Sequence, residues 1–179
     1  GPVDSVISLI VDFVWGFPLI LVAVLMAASI GSGLVPVILA VALVNTVAIA
    51  RVVRGEVLGI SEREFVAASK AGGYSTFRIL TRHIAPNVIP IALVLSSYYI
   101  AVAIIAEAAL SFVGMGAQPP LPSLGQMVSE GRNYMRLNHW ESTIPGVIIF
   151  FMVLSVSLVG DGLRDLLDPR LRTALDRTS

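Results

Sequence analysis

The chain has 179 residues, of which 56% are hydrophobic and only 13% charged, and its formal net charge is zero. Soluble domains hold roughly 45–50% apolar and about 25% charged residues, so this composition marks an integral membrane protein and gives no sign of a nucleic-acid partner. With no cysteine and only two histidines, His83 and His139, the chain excludes disulfides, thiolate chemistry and a His-rich metal cluster.

Gly1-Pro2 reads as the scar of a cleaved tag, which leaves residues 3–179 as a membrane domain. From Phe13 to Ala50 there is no charged residue. As one helix that stretch would be about 57 Å long, against a hydrocarbon core of ~30 Å, so it must fold back. Gly31-Ser32-Gly33 with Pro36 marks the turn and predicts two spans, near residues 13–30 and 34–53, with a kink at Gly16-Phe17-Pro18. Trp15 lies where an interfacial aromatic belongs. A third span is expected from Pro86 to about Val113, with Asn87 as N-cap and Pro90 in its first turn. The fourth is the charge-free run Ser142–Gly160, closed by Asp161.

Between spans two and three lies the one long basic island, Ser61 to Pro86. Ser61-Glu62-Arg63-Glu64 has the spacing of a capping box and predicts a helix start; Gly72-Gly73 predicts its end. Ser75 is positioned to cap a second short helix running through His83, which Pro86 is expected to stop. Phe65, Ala68 and Gly72 form one stripe of the first helix. One large aromatic among small residues suits a plug for a groove on a partner. The residues alone leave equally open a connector that only solvates the turn.

The loop of residues 114–141 predicts a short amphipathic helix, from a Ser123-x-x-Gln126 capping box and the face Leu124, Met127, Val128, Gly131, Tyr134 and Met135. Basic residues concentrate in the island and its approach (Arg51, Arg54, Arg63, Lys70, Arg78, Arg82) and in the tail (Arg164, Arg170, Arg172, Arg177). The 114–141 loop has only Arg132 and Arg136. By the positive-inside rule the island and both termini are cytoplasmic and that loop is external.

Glu107 is the one carboxylate well within a span, some 30 Å along the helix from Asn87 and hence near the outer interface. There it is expected to snorkel or to satisfy a backbone group of the outer loop, in preference to contacting substrate or ion. Asp161, Arg164, Asp165 and Asp168 share three- and four-residue spacings before Pro169, which fits a solvated helix end as well as a packing surface. Ser97 with Ala101, and Ala27 with Gly31, place small residues for close helix packing, on this chain or on another.

The island resembles the Glu-Ala-Ala loop of ABC importer permeases. Ala67-Ala68-Ser69 stands at the tripeptide, Gly73 follows after three residues, and His83-Ile84-Ala85-Pro86 after nine more. The tripeptide's Glu is here Ala67, with Glu64 one turn earlier as the nearest acid. The run from Glu107 through Gly116, then Gln118-Pro119-Pro120 and Pro122-Ser123-Leu124-Gly125, is similar to permeases of the DppC/OppC type, nickel permeases included. Gly160 through Arg172 resembles that group's C-terminal signature.

The resemblance implies an all-α membrane domain in a bacterial plasma membrane, the last four of an expected six spans. It also implies two short cytoplasmic coupling helices, with Ser61, Glu64, Phe65, Ala67, Ala68, Ser69, Gly72, Gly73 and Pro86 as the ATPase-coupling residues. The implied partners are a second permease subunit, two cytoplasmic ATPase subunits, an external substrate-binding protein and membrane lipid. No Gly-x-x-x-x-Gly-Lys-[Ser/Thr] run is present, so ATP hydrolysis falls to a partner and no cofactor or catalytic residue is expected on this chain. Dipeptides, longer peptides and nickel chelates all fit, and a non-transporting structural subunit stays open. A proton-coupled carrier does not fit, because the spans hold no ionisable group near the midplane.

Overall fold

A computed structural model describes residues 2–167 of the chain. Among these residues the order is α1 (Pro2–Trp15), α2 (Leu19–Ile30), α3 (Leu34–Ser61), α4 (Glu64–Ala71), α5 (Thr76–Ile79), a π-helical turn Leu80–Ile84, α6 (Ala85–Phe112), α7 (Leu124–Gly131), a 3₁₀ turn Arg132–Tyr134 and α8 (Trp140–Leu167). Asp168, Pro169 and the basic tail lie outside the described residues.

Three helical segments are long and apolar enough to cross a membrane: Leu34–Ser61, Thr76–Phe112 and Trp140–Leu167. The expected span at 13–30 is not a single helix. Its residues fall on α1 and α2, which meet at 92° and count as a fourth span only if the bent pair is taken together. The break is at Gly16-Phe17-Pro18, where proline removes a backbone donor and its ring clashes with the turn before it. With 12 residues, α2 is only about 18 Å long.

The other spans outrun their predicted ends. α3 continues beyond Arg51 and Arg54 to Ser61, so Ser61 is its last residue and not a cap: its hydroxyl donates to the Leu58 carbonyl at 2.8 Å. α4 begins without a side-chain cap, so the capping box is not formed. Pro86 does not stop the second island helix either. The backbone widens into the π turn Leu80–Ile84 just ahead of it, the Ala85 amide bonds to the Leu80 carbonyl, and the chain runs helically into α6. A π turn places the irregularity where the proline would otherwise break the ladder. Asn87 is accordingly no N-cap, and its amide donates to the His83 carbonyl at 2.7 Å.

Two apolar clusters hold the bundle. One gathers Ile60, Val66, Ile79, Ile84 and Val88 at the island end, flanked by Val53 and Val57. The other gathers Ala23, Val37, Ala40 and Leu110 near the far end. Between them small residues let helices approach. Ser97 and Ala101 are buried, and a Cβ placed on Gly160 of α8 would lie 2.7 Å from Ser97 Oγ. The small-residue pair on α6 is thus packed within this chain. Asn45 of α3 donates to the Tyr99 carbonyl of α6 at 3.3 Å, giving a polar group in the spans a partner. Outward, α2, α3, α6 and α8 present large apolar side chains such as Leu25, Leu39, Ile105 and Phe150. That distribution suits a lipid solvent, which carries no penalty for exposed hydrocarbon.

Candidate functional site

The island is built as a short helix on an anchor. Val66 of α4 is fully buried against Ile60, Ile79 and Ile84, which fixes the helix to the base of α3 and α6. At its C-terminus the Tyr74 amide bonds to the Ser69 carbonyl at 3.2 Å and the Gly73 amide to the Lys70 carbonyl at 3.0 Å. This is the Schellman pattern, with Gly73 at φ +78° in the left-handed region that a side chain disfavours. Ser75 caps α5 as expected, accepting from the Arg78 amide at 3.4 Å.

The expected coupling residues divide into two groups. Glu64, Phe65, Ala67, Ala68, Gly72 and Gly73 are exposed along α4 and its elbow, and Ser69 is half-buried with its hydroxyl on the Phe65 carbonyl at 2.8 Å. Phe65 lies 42% exposed with its ring 6.1 Å from that of His83. Ser61 sits apart, at the end of α3, and Pro86 is in the first turn of α6, lining a groove of about 570 Å³ with Arg164 and Leu167 of α8. Three residues of the island were missed from the sequence. Val66 is the anchor, and Tyr74 and Phe77 are further exposed aromatics of the island, Phe77 at 75%. Arg78 stacks over the Tyr74 ring at 5.5 Å. Their signal was present as apolar residues in a basic, polar stretch.

At the opposite end of α6 the loop that follows it is latched to the helix. Glu107 Oε1 accepts from Ser111 Oγ at 2.6 Å and from Ser123 Oγ at 3.0 Å, while Ser111 Oγ in turn accepts the Ala117 amide at 3.3 Å. One carboxylate oxygen therefore fixes both ends of the 111–123 loop, a structural role, though its partners are two serine hydroxyls and not the backbone group expected. Ser123 precedes α7 but spends its hydroxyl on Glu107, and Gln126 donates to Glu130, so the second capping box is not formed either. Of the expected α7 face, Gly131 is buried, whereas Met127, Tyr134 and Met135 are exposed. A Cβ on Gly125 would collide with the Ala108 backbone, so only glycine lets α7 lie this close to α6. Glu107 also borders a cavity of about 640 Å³ that is otherwise apolar or hydroxyl-lined.

At α1, Asp4 forms a two-pronged pair with Arg54 (3.2 and 3.0 Å) and Asp12 lies 3.5 Å from Arg51. The hydrogen bond from Arg54 holds the Asp4 carboxyl below its ordinary pKa.

Comparison with known proteins adds the following. A family model described as "Binding-protein-dependent transport system inner membrane component" matches residues 1–173. The chain is 39% identical over 171 residues to the dipeptide transport system permease protein DppC of Alkalihalophilus pseudofirmus, covering 96% of this chain and 56% of that protein. It is 41% identical over 169 residues to a putative peptide transport system permease protein of Brucella suis (94% and 57%). With the glutathione transport system permease protein GsiD of Pectobacterium atrosepticum it shares 40% over 173 residues (97% and 58%). The chain thus spans little more than half the length of these relatives. Among solved structures, an inward-facing form of the MetNI methionine ABC transporter superposes with a TM-score of 0.71 at 22% identity, covering 93% of this chain and 76% of that one. At that identity the likeness concerns the fold alone.

Proposed function

The chain belongs to the family of binding-protein-dependent transport system inner membrane components, and from that premise we propose that it serves as the membrane-spanning permease of an ATP-driven importer of dipeptides and oligopeptides. The observation that carries the reading is α4. It is a helix fixed from beneath by the buried Val66, closed by the Gly73 elbow, and presenting Phe65 with Ala67 and Ala68 outward from the end of the bundle. Such a surface fits a hydrophobic cleft on a cytoplasmic ATPase in the manner of a helix in a groove. Arg63, Lys70, Arg78 and Arg82 support a cytoplasmic position for it.

In this reading, closure of two ATPase subunits on ATP displaces α4 and, through the helical run Thr76–Phe112, the pathway-lining spans, which alternates access between the two sides. A second permease subunit completes the pathway, and an external binding protein docks over α7. The relatives' names support a peptidic substrate, since they specify dipeptide, peptide and glutathione, itself a small peptide. In the reconstituted importer, Phe65→Ala together with Gly73→Asp is expected to abolish ATP-driven dipeptide uptake while the subunits still co-purify. Undiminished uptake by that variant would refute the assignment.

A further inference from the structure

We propose that α1 is an interfacial helix, lying along the membrane surface at the level of Arg51 and Arg54 with its apolar face among lipid acyl chains. The inference rests on the membrane reading above but not on the ATPase one.

Asp4, Ser8 and Asp12 recur every four positions on one face, and that face is turned to α3, where Arg54 and Arg51 bind the two acids. These arginines end the charge-free run of α3, so they mark where that helix leaves the hydrocarbon. Two ion pairs therefore set the height of α1, and the 92° bend lays it across α2 instead of extending it. Trp15 stacks beneath Arg51 at 5.2 Å, an aromatic at the depth where indoles concentrate.

The opposite face has no partner within the described residues: no residue of α1 is buried, and Val6, Ile7, Ile10 and Phe13 are each more than half exposed. Lipid suits this face better than another helix does. Helix contacts within membranes select small residues that let backbones approach, as Gly160 and Ser97 do here, and this face holds only large branched and aromatic ones. It is also continuous with the lipid-facing surface of α2. The Phe13 and Phe17 rings meet edge to face at 5.1 Å across the bend, so the apolar belt passes from Ile20 and Leu21 into α1 without interruption. An acidic helix would ordinarily be repelled by an anionic leaflet, and the two arginines cancel that charge in place. Interfacial helices of this kind sink about 5–10 Å below the headgroup boundary.

These residues hold no cysteine, and once any cysteine elsewhere in the full-length permease and its partners is replaced by serine, single nitroxide labels can be placed at Ile10, at Glu62 as a water control and at Phe150 of α8 as a lipid control. They would be read in the full-length permease with its partner subunits, in phosphatidylethanolamine–phosphatidylglycerol vesicles. The label at Ile10 is expected to match Phe150, broadened by oxygen and untouched by a water-soluble nickel chelate, with Glu62 the reverse. Nickel access at Ile10 would place α1 in water, and shielding from both reagents would place protein over it; either result overturns the proposal. Nickel access at Phe150 would remove the membrane reading itself, a failure distinct from that of α1 alone.

Discussion

Replacing Glu107 by Gln and by Ala should separate a latch from a substrate contact. Glu107 Oε1 accepts two hydroxyl hydrogen bonds, from Ser111 and Ser123, and both serines are buried. Bonds to a charged acceptor contribute about 1.5–3 kcal/mol each and neutral ones about 0.5–1.5. A glutamine keeps an oxygen at the same position, so Glu107→Gln is expected to cost about 1–3 kcal/mol in total. Glu107→Ala removes the acceptor and leaves two buried hydroxyls to find others, at about 1–3 kcal/mol each, and adds a cavity beside the existing one. The alanine variant should therefore be less stable than the glutamine variant by roughly 2 kcal/mol. Equilibrium unfolding in mixed micelles measures that gap, and proteolytic nicking within residues 113–139 tests whether the loop itself is released. Uptake by the full importer should survive Glu107→Gln nearly intact. Equal destabilisation by both variants, or loss of uptake in a normally assembled Glu107→Gln importer, would refute the latch.

Three further outcomes are expected. Val66→Ala deletes two methyl groups from a site with no exposure and should cost roughly 2 kcal/mol, seen as faster proteolysis within residues 61–75, whereas Phe65→Ala should leave that rate nearly unchanged. Gly73→Ala forces a Cβ into φ +78° and should destabilise by about 1–2 kcal/mol in the same assay. Gly160→Val drives a branched side chain into Ser97 and should cost about 1–3 kcal/mol by overpacking, read by unfolding in mixed micelles; a milder Ser97→Ala in the same background should recover part of that loss.

The charge-free runs and the glycine turn made the main apolar segments legible, because hydrocarbon thickness and helical rise leave little freedom in how such runs cross a bilayer. Helix ends were less legible. Ser61 and Ser123 each stand at the right spacing for a capping box, yet a cap needs the side-chain oxygen turned to the amide three residues on, and each hydroxyl is turned instead to another acceptor, the Leu58 carbonyl for Ser61 and Glu107 for Ser123. For Ser123 that acceptor is a carboxylate 16 positions earlier in the chain, which local spacing does not register. Ser61 belongs to a helix that continues past the charge-free run, since Gly55 and Gly59 cost only about 1 kcal/mol each in a helix interior and no proline interrupts Arg51–Ile60 once the span has nucleated it. Pro86 was misread for a related reason. A proline near a helix start lacks only a donor that is dispensable there, and a π turn ahead of it keeps the rod continuous. In the candidate site, the elbow glycine was visible because its requirement is local, but Val66 was not, because its burial depends on Ile60, Ile79 and Ile84 from three other elements.

The three stretches that carry the family resemblance are far apart in sequence, but each of them belongs to the helical run Thr76–Phe112 or packs against it. The second half of the island forms its first turns, and α4 packs on them through Val66 against Ile79, Ile84 and Val88. The Glu107–Gly116 stretch is its last turns together with the loop they latch, and Gly125 lies against Ala108. Gly160, at the head of the C-terminal stretch, fits against Ser97 midway along it. At ~1.5 Å per residue this 37-residue run measures about 55 Å, longer than the hydrocarbon is thick. One helix therefore reaches beyond the bilayer toward both faces and carries, on its own side chains, the contacts that fix the island, the 113–123 loop and α8. The spacing of the motifs is thus set less by each local structure than by where along this helix each contact must fall.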